Sequence, residues 1–259
     1  MLLASGLSVS LGRRPILSGV DFEAQPGHVT AIVGPNGSGK TTLLRMLTGD
    51  LAGQGVISLD GDTPAAMAPR ALAQRRAVLP QATAVGFSFT LREIVRMGHE
   101  AGHAAHRPGI VEEAVAEVGL TRKIDGFFHD MSGGEQARGH LARVRAQVWE
   151  PMRNGRPSWL FVDEPVAALD IGHQLQVMTL LRRFADAGGG VVAVMHDLNL
   201  TAMHADRMVL MDGGRIVALG RPTEVMTDPL LSSAYRCRLC VNTAPPKGIW
   251  LLPQAAALA

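Results

Sequence analysis

The chain has 259 residues, 47% of them hydrophobic, and a formal net charge of +2. That length and apolar content give one large domain or two small ones with a sizeable core, and argue against a disordered chain. The near-neutral charge demands no strongly charged partner, and no nucleic acid is expected. Two cysteines make no disulfide framework and suggest a reducing compartment. No apolar run reaches the length of a membrane span, and the first residues lack a basic stretch followed by a long apolar one. The expectation is a soluble chain in the cytoplasm unless a partner holds it to a membrane.

In chain order, Gly6 to Leu11 alternates apolar and polar residues, as a half-buried strand does. A turn at Arg13-Arg14-Pro15 leads to a second strand through Ile16-Leu17 and Val20-Asp21-Phe22. His28 to Val33 reads as a buried strand, and Thr42 to Leu47 has helical spacing. Gly53 to Gly61 reads as turn, strand and turn, so an antiparallel β layer is expected beside the core. Arg75 to Gln81 is a short strand limited by Pro80. From Thr90, an N-cap with Glu93 completing a capping box, the chain reads mostly helical to Trp149. Helices are expected at Val111–Val118 and Glu135–Val148. Trp159–Val162 and Val191–Met195 are continuous apolar strands. Met208–Met211, the turn Asp212-Gly213-Gly214 and Arg215–Ala218 form a hairpin.

Between the His28–Val33 strand and the following helix lies Gly34-Pro35-Asn36-Gly37-Ser38-Gly39-Lys40-Thr41, followed by Thr42. Strand, glycine-rich turn and helix, closed by Lys and Thr, is the P-loop pattern. Its glycines let several N–H groups converge on one anion, and the helix adds its positive dipole end. Lys40 would neutralise β- and γ-phosphates, and the Thr41 hydroxyl would bind Mg²⁺. The competing reading is a glycine-rich turn that binds nothing.

The strand Trp159–Val162 delivers Asp163-Glu164 at its end. Adjacent carboxylates after a buried strand are costly unless a cation or proton balances them. Asp163 on Mg²⁺ and Glu164 polarising an attacking water suit that arrangement. A solvated acidic pair is the plain alternative. His196 ends the strand Val191–Met195, so three strand ends carry polar groups, and in an open α/β sheet such ends share one site. Met131-Ser132-Gly133-Gly134-Glu135-Gln136 is a capped turn opening a helix, a second anion site that could complete the P-loop of another copy. Gln81, read alone, is a loop glutamine.

With these motifs in hand, nearly the whole chain resembles an ATP-binding-cassette ATPase subunit. Gly34–Thr41 is similar to the Walker A motif and Gln81 to the Q-loop. Ser132–Gln136 is similar to the family signature, with Met131 where Leu is usual. Leu160–Glu164 is similar to Walker B, Leu169-Asp170 to the D-loop and His196 to the switch histidine. The resemblance implies an α/β fold: a P-loop NTPase (RecA-like) core with an antiparallel β subdomain and an inserted α-helical subdomain. It implies one domain over 1–259, with core and β subdomain in 1–90 and 155–240, the helical signature subdomain in 91–154, and a C-terminal extension in 241–259. It further implies a head-to-tail homodimer holding two ATP between the P-loop of one copy and Ser132, Gly133, Gly134 of the other, with Asp170 nearby. Glu164, His196 and Gln81 would be catalytic, with Thr41, Gln81 and Asp163 at Mg²⁺. Partners would be a transmembrane permease dimer and, indirectly, a periplasmic solute-binding protein, at the cytoplasmic face of a bacterial inner membrane.

Phe89–Gly98 and His196–Leu200 further resemble the importers of haem, ferric siderophores and cobalamin. Glu135–Val144 and the connection Trp149–Trp159 favour the haemin-import subfamily. A soluble cassette ATPase acting on ribosomes or DNA is the other class; such proteins usually carry two cassettes or a long coiled coil, and this chain has one motif set and no heptad array.

Several positions depart from the pattern. Leu11 stands where many members carry an aromatic that stacks on adenine, so base selectivity is expected to be loose or another residue stacks. Val166 and Ala168 replace hydroxyl residues, which should trim hydrogen bonds across the dimer. His99, His103 and His106 are expected in a solvated polar loop, with metal or haem ligation the alternative. Cys237 and Cys240 are expected to alternate along a late strand, and Arg138, Arg143 and Arg145 to form a solvated helix face.

Overall fold

A computed structural model describes residues 1–81, 86–245, 247–249 and 251–255. In chain order the elements are β1 (Leu2–Leu11), β2 (Arg14–Ala24), β3 (Val29–Val33), α1 (Lys40–Thr48), β4 (Gln54–Leu59), α2 (Pro69–Ala73), β5 (Arg76–Leu79), α3 (Leu91–Ala101), α4 (Ile110–Glu117) and α5 (Gly133–Gln147). There follow β6 (Met152–Arg153), β7 (Arg156–Pro157), β8 (Trp159–Asp163), α6 (Ile171–Asp186), β9 (Gly190–Val194), α7 (Leu198–His204), β10 (Arg207–Asp212), β11 (Arg215–Gly220), α8 (Pro222–Val225) and α9 (Asp228–Tyr235).

The central sheet runs β11-β10-β3-β9-β8-β5, parallel except for β11. Every residue of β3, β8 and β9 is buried. This is why those segments read as unbroken apolar runs: a parallel strand covered on both faces has no polar face to show. Alternation still sorts the two sides. Ala31 and Val33 join the core that includes α3 to α6, while Ile32 joins the core under β1, β2 and α1. The second layer is the antiparallel sheet β2-β1-β4, as the alternating N-terminal pattern predicts.

The helical block is held by close backbone approach. A Cβ on Gly98 of α3 would lie 2.0 Å from the Arg143 carbonyl oxygen of α5, and one on Gly102 would lie 2.2 Å from that of Gln147. Only hydrogen fits there. Thr90 caps α3 with a reciprocal bond from Glu93, as its spacing predicts.

Three expectations fail. His99 and His103 are not in a solvated loop: His99 belongs to α3 and its Nε2 sits 2.8 Å from the Ala104 oxygen, while His103 is buried beside Glu150 at 3.2 Å. The glycine contacts draw that end of α3 inward. His106 alone is exposed. The arginines of α5 are not a solvated face either. Arg138 is buried, and Arg145 stacks over the Trp149 ring at 4.2 Å while donating to the Val148 and Trp149 carbonyls. Burial pulls the Arg143 and Arg145 guanidinium pKa values down. They stem from a helix covered on several sides, not on one. Cys237 and Cys240 lie in irregular, exposed chain after α9, with no strand there. Among the described residues no helix is long and apolar enough to cross a membrane.

Candidate functional site

Three neighbouring parallel strands carry their C-terminal ends to one edge: β3 into Gly34, β8 into Asp163-Glu164, and β9 into Met195-His196. The loop after β3 is shaped by glycine. Gly34 has φ 146°, and a Cβ there would lie 2.1 Å from the Met211 carbonyl oxygen. Gly39, at φ 100°, ends the loop as the N-cap of α1, whose free N–H groups face the loop. Lys40 is buried, and its Nζ donates to the Gly34 oxygen at 2.9 Å and the Pro35 oxygen at 3.1 Å. Burial pulls the Lys40 ammonium below its ordinary pKa, against the opposing pull of Glu164 and Asp163.

Asp163 is 3% exposed, and its Oδ1 accepts from the Thr41 hydroxyl at 3.3 Å. Burial, with Glu164 adding to it, pushes the Asp163 carboxyl up, and the Thr41 bond and Lys40 oppose the shift. A buried carboxylate beside a hydroxyl is a hard oxygen donor set, and these residues fit Mg²⁺. Glu164 occupies the left-handed region at φ 54°, fixed by its N–H bond to the Val194 oxygen at 3.1 Å. Its Oε1 sits 2.5 Å from His196 Nε2. A non-glycine residue held in that conformation at a strand end is a recurrent mark of functional sites.

These groups share a cleft of about 700 Å³ lined by Asn36, Gly37, Gly39, Lys40, Thr41, Thr42, Gln81, Glu164 and His196, with Arg14 and Ile16 at its wall. An adjoining cavity of about 260 Å³ has Thr41, Gln81 and Asp163 among its lining. Gly34, Pro35 and Ser38 form the loop beneath; Ser38 is buried, and its hydroxyl makes no hydrogen bond.

Ser132, Gly133, Gly134 and Asp170 are not in this cleft. Ser132 caps α5 with Glu135, whose carboxyl is held down to about 2 by Lys123 and the Ser132 amide. Asp170 caps α6 and bonds His173. The two helix starts adjoin, since a Cβ on Gly134 would lie 3.3 Å from the Ala168 oxygen. Arg14 and Ile16 escaped the sequence reading, which placed Arg14 in a plain turn. The register that pairs Leu11 with Arg14 was the signal that could have found it. Tyr235 also escaped: its buried hydroxyl abuts the Gly34 backbone at the loop's foot.

The ABC transporter family profile matches residues 17–167. The hemin import ATP-binding protein HmuV of Jannaschia sp. (strain CCS1) is 55% identical over 257 residues, covering 99% of this chain and 95% of that protein. HmuV of Roseobacter denitrificans is 54% identical over 254 residues, covering 98% and 97%. A solved ATP binding subunit of an ABC transporter superposes with a TM-score of 0.77 at 22% identity, over 91% of this chain and 96% of its own. With a strand-loop-helix phosphate cradle at its centre and relatives matched over almost its whole length, the chain belongs to the ABC transporter family.

Proposed function

We propose that this chain is the ATP-hydrolysing subunit of a bacterial importer whose solute is haem. The convergence of Lys40, Thr41, Gln81, Glu164 and His196 on one cleft supports ATP hydrolysis. The relatives matched over nearly their whole length are hemin import proteins, and this supports haem as the solute. Ferric siderophores and cobalamin are the alternative solutes.

In this reading the Gly34–Thr42 backbone and Lys40 bind the phosphates, with Lys40 exchanging its two carbonyl partners for phosphate oxygens. Thr41, Asp163 and Gln81 would hold Mg²⁺, which supplies charge neutralisation at the phosphates when bound. Glu164 orients the attacking water and takes its proton; His196 steadies Glu164 and reaches the γ-phosphate. Ser132, Gly133, Gly134 and Asp170 serve the cleft of a second, head-to-tail copy. Their exposure, and their shared edge outside the chain's own cleft, support that assignment. The core and β subdomain take residues 1–90 and 155–240, the helical subdomain 91–154 and the extension 241–259. The dimer would bind a permease dimer at the cytoplasmic face of the inner membrane, with a periplasmic protein supplying the solute.

The test is ATP hydrolysis by vesicles holding this chain and its permease, with haem-loaded, siderophore-loaded or cobalamin-loaded binding protein. Stimulation by the haem-loaded protein alone, abolished by Glu164→Gln, is expected. Stimulation by another loaded protein would move the solute, and ATPase that survives Glu164→Gln would overturn the mechanism.

A further inference from the structure

The phosphate end of the cleft is well furnished, but a nucleotide also carries a base. Among the described residues no Phe, Trp or Tyr lines the cleft. Leu11 does not line it either and stands 55% exposed at the end of β1. Directly opposite Leu11 across the hairpin is Arg14, the first residue of β2. Opposed residues of an antiparallel pair share a face. The turn between them, Gly12-Arg13, has Gly12 at φ 62°, so it is tight and sets that register firmly.

Arg14 is exposed, lines the cleft, and makes no ion pair or side-chain hydrogen bond among the described residues. It borders the cleft together with Ile16. Ile16 is partly buried in the core below. Its carbonyl oxygen would lie 3.3 Å from a Cβ on Gly39, so it directly flanks the phosphate loop. A planar cation and an apolar side chain at one cleft wall, next to the phosphate loop, are chemistry that receives a flat aromatic ring.

We infer that Arg14, which shares the cleft wall with Ile16, is the base-stacking residue of this cleft and takes a purine ring by cation–π stacking. The inference rests on the nucleotide reading of the cleft. A guanidinium face stacks on any purine and does not by itself read a base edge. ATP and GTP therefore bind with similar affinity.

The experiment is equilibrium binding of ATP, GTP and inorganic tripolyphosphate to the full chain and its Arg14 variants, with Mg²⁺ present. Arg14→Ala is expected to weaken ATP and GTP by about two- to thirtyfold, the range of one exposed-to-desolvated cation–π contact. Tripolyphosphate, which has no base, should bind the variant as it binds the parent. Arg14→Lys, keeping charge without the plane, should bind ATP no better than Arg14→Ala, and Arg14→Tyr should restore it. In turnover the loss should appear in KM and not in kcat. Equal weakening of tripolyphosphate and ATP would overturn stacking in favour of charge attraction. Unchanged ATP affinity in Arg14→Ala would overturn the residue's role while leaving the nucleotide cleft standing. A parent chain that binds neither ATP nor tripolyphosphate would overturn the cleft reading itself.

Discussion

Replacing Glu164 by Gln tests the chemistry most directly, because it changes one proton-accepting oxygen and little else. The backbone strain at φ 54° belongs to the β8–β9 junction and is held by the Glu164 N–H bond to the Val194 oxygen, which glutamine keeps. The side-chain partner affected is His196, 2.5 Å away and 43% exposed, for which glutamine keeps an acceptor oxygen but loses the charge. At that exposure the pair is worth less than about 1 kcal/mol, so the fold should survive. The rate should not. A positioned general base contributes about 10²–10⁴-fold, or roughly 2.7–5.4 kcal/mol of barrier. Phosphate release at saturating ATP should fall by at least about 100-fold while ATP binding is retained. His196→Ala should lower turnover by removing the group that orients the carboxylate. The double variant should then cost little beyond Glu164→Gln, because groups acting as a unit are not additive. Turnover of Glu164→Gln within about threefold of the parent would refute the base assignment. Strict additivity with His196→Ala would refute the coupling.

Two further outcomes follow from packing and burial. Gly98→Ala puts a methyl 2.0 Å from the Arg143 carbonyl, so α3 and α5 must part. Overpacking of that kind costs about 1–3 kcal/mol, read as a fall in Tm, whereas Gly172→Ala, whose Cβ meets only a 3.7 Å contact in a helix, should gain about 0.5–1 kcal/mol. A Gly98→Ala chain as stable as the parent would show that the helices have slack. His103 is buried, and burial together with Arg153 lowers its pKa from 6.5, against the pull of Glu150, which also pairs with Arg107. The unfolded chain takes up that proton first as pH falls below 6.5, so His103 costs stability on the acid side of that value and none above it. His103→Gln should flatten the acid limb of the Tm-against-pH curve, and an unchanged limb would place the acid sensitivity elsewhere.

The parallel core was legible because burial on both faces leaves an unmistakable trace. β3, β8 and β9 are buried throughout and mostly apolar, β8 and β9 run into Asp163-Glu164 and His196, and β3 runs into the glycine-rich loop. Strand ends that meet in space are therefore adjacent to breaks in hydrophobicity, and Lys40, Glu164 and His196 could be found without any tertiary knowledge. The P-loop was legible for a related reason, since Gly34 and Gly39 stand where the backbone needs conformations closed to other residues.

What was illegible depends on a second element covering the first. The arginines of α5 carry the sequence pattern of a wet helix face; the Val148 and Trp149 contacts of Arg145 are local, three and four residues on, but Glu117 of α4 at 3.1 Å and the Phe184 ring of α6 at 5.6 Å, which close over it, are not. His99 and His103 look like loop residues until Gly98 and Gly102 let two backbones touch and draw the end of α3 into the core. Arg14 belongs to the same class. The register that sets it opposite Leu11 is local, but its place at the cleft depends on Ile16 meeting the P-loop, which is a long-range fact. A charge patterned as solvated is thus weak evidence of exposure wherever glycines permit close approach. At such places the long aliphatic stems of arginine pack as apolar surface while the head finds carbonyls or rings. This physics accounts for the misread face of α5, whereas Arg14 stays exposed, as its pattern implies, at the wall of the cleft.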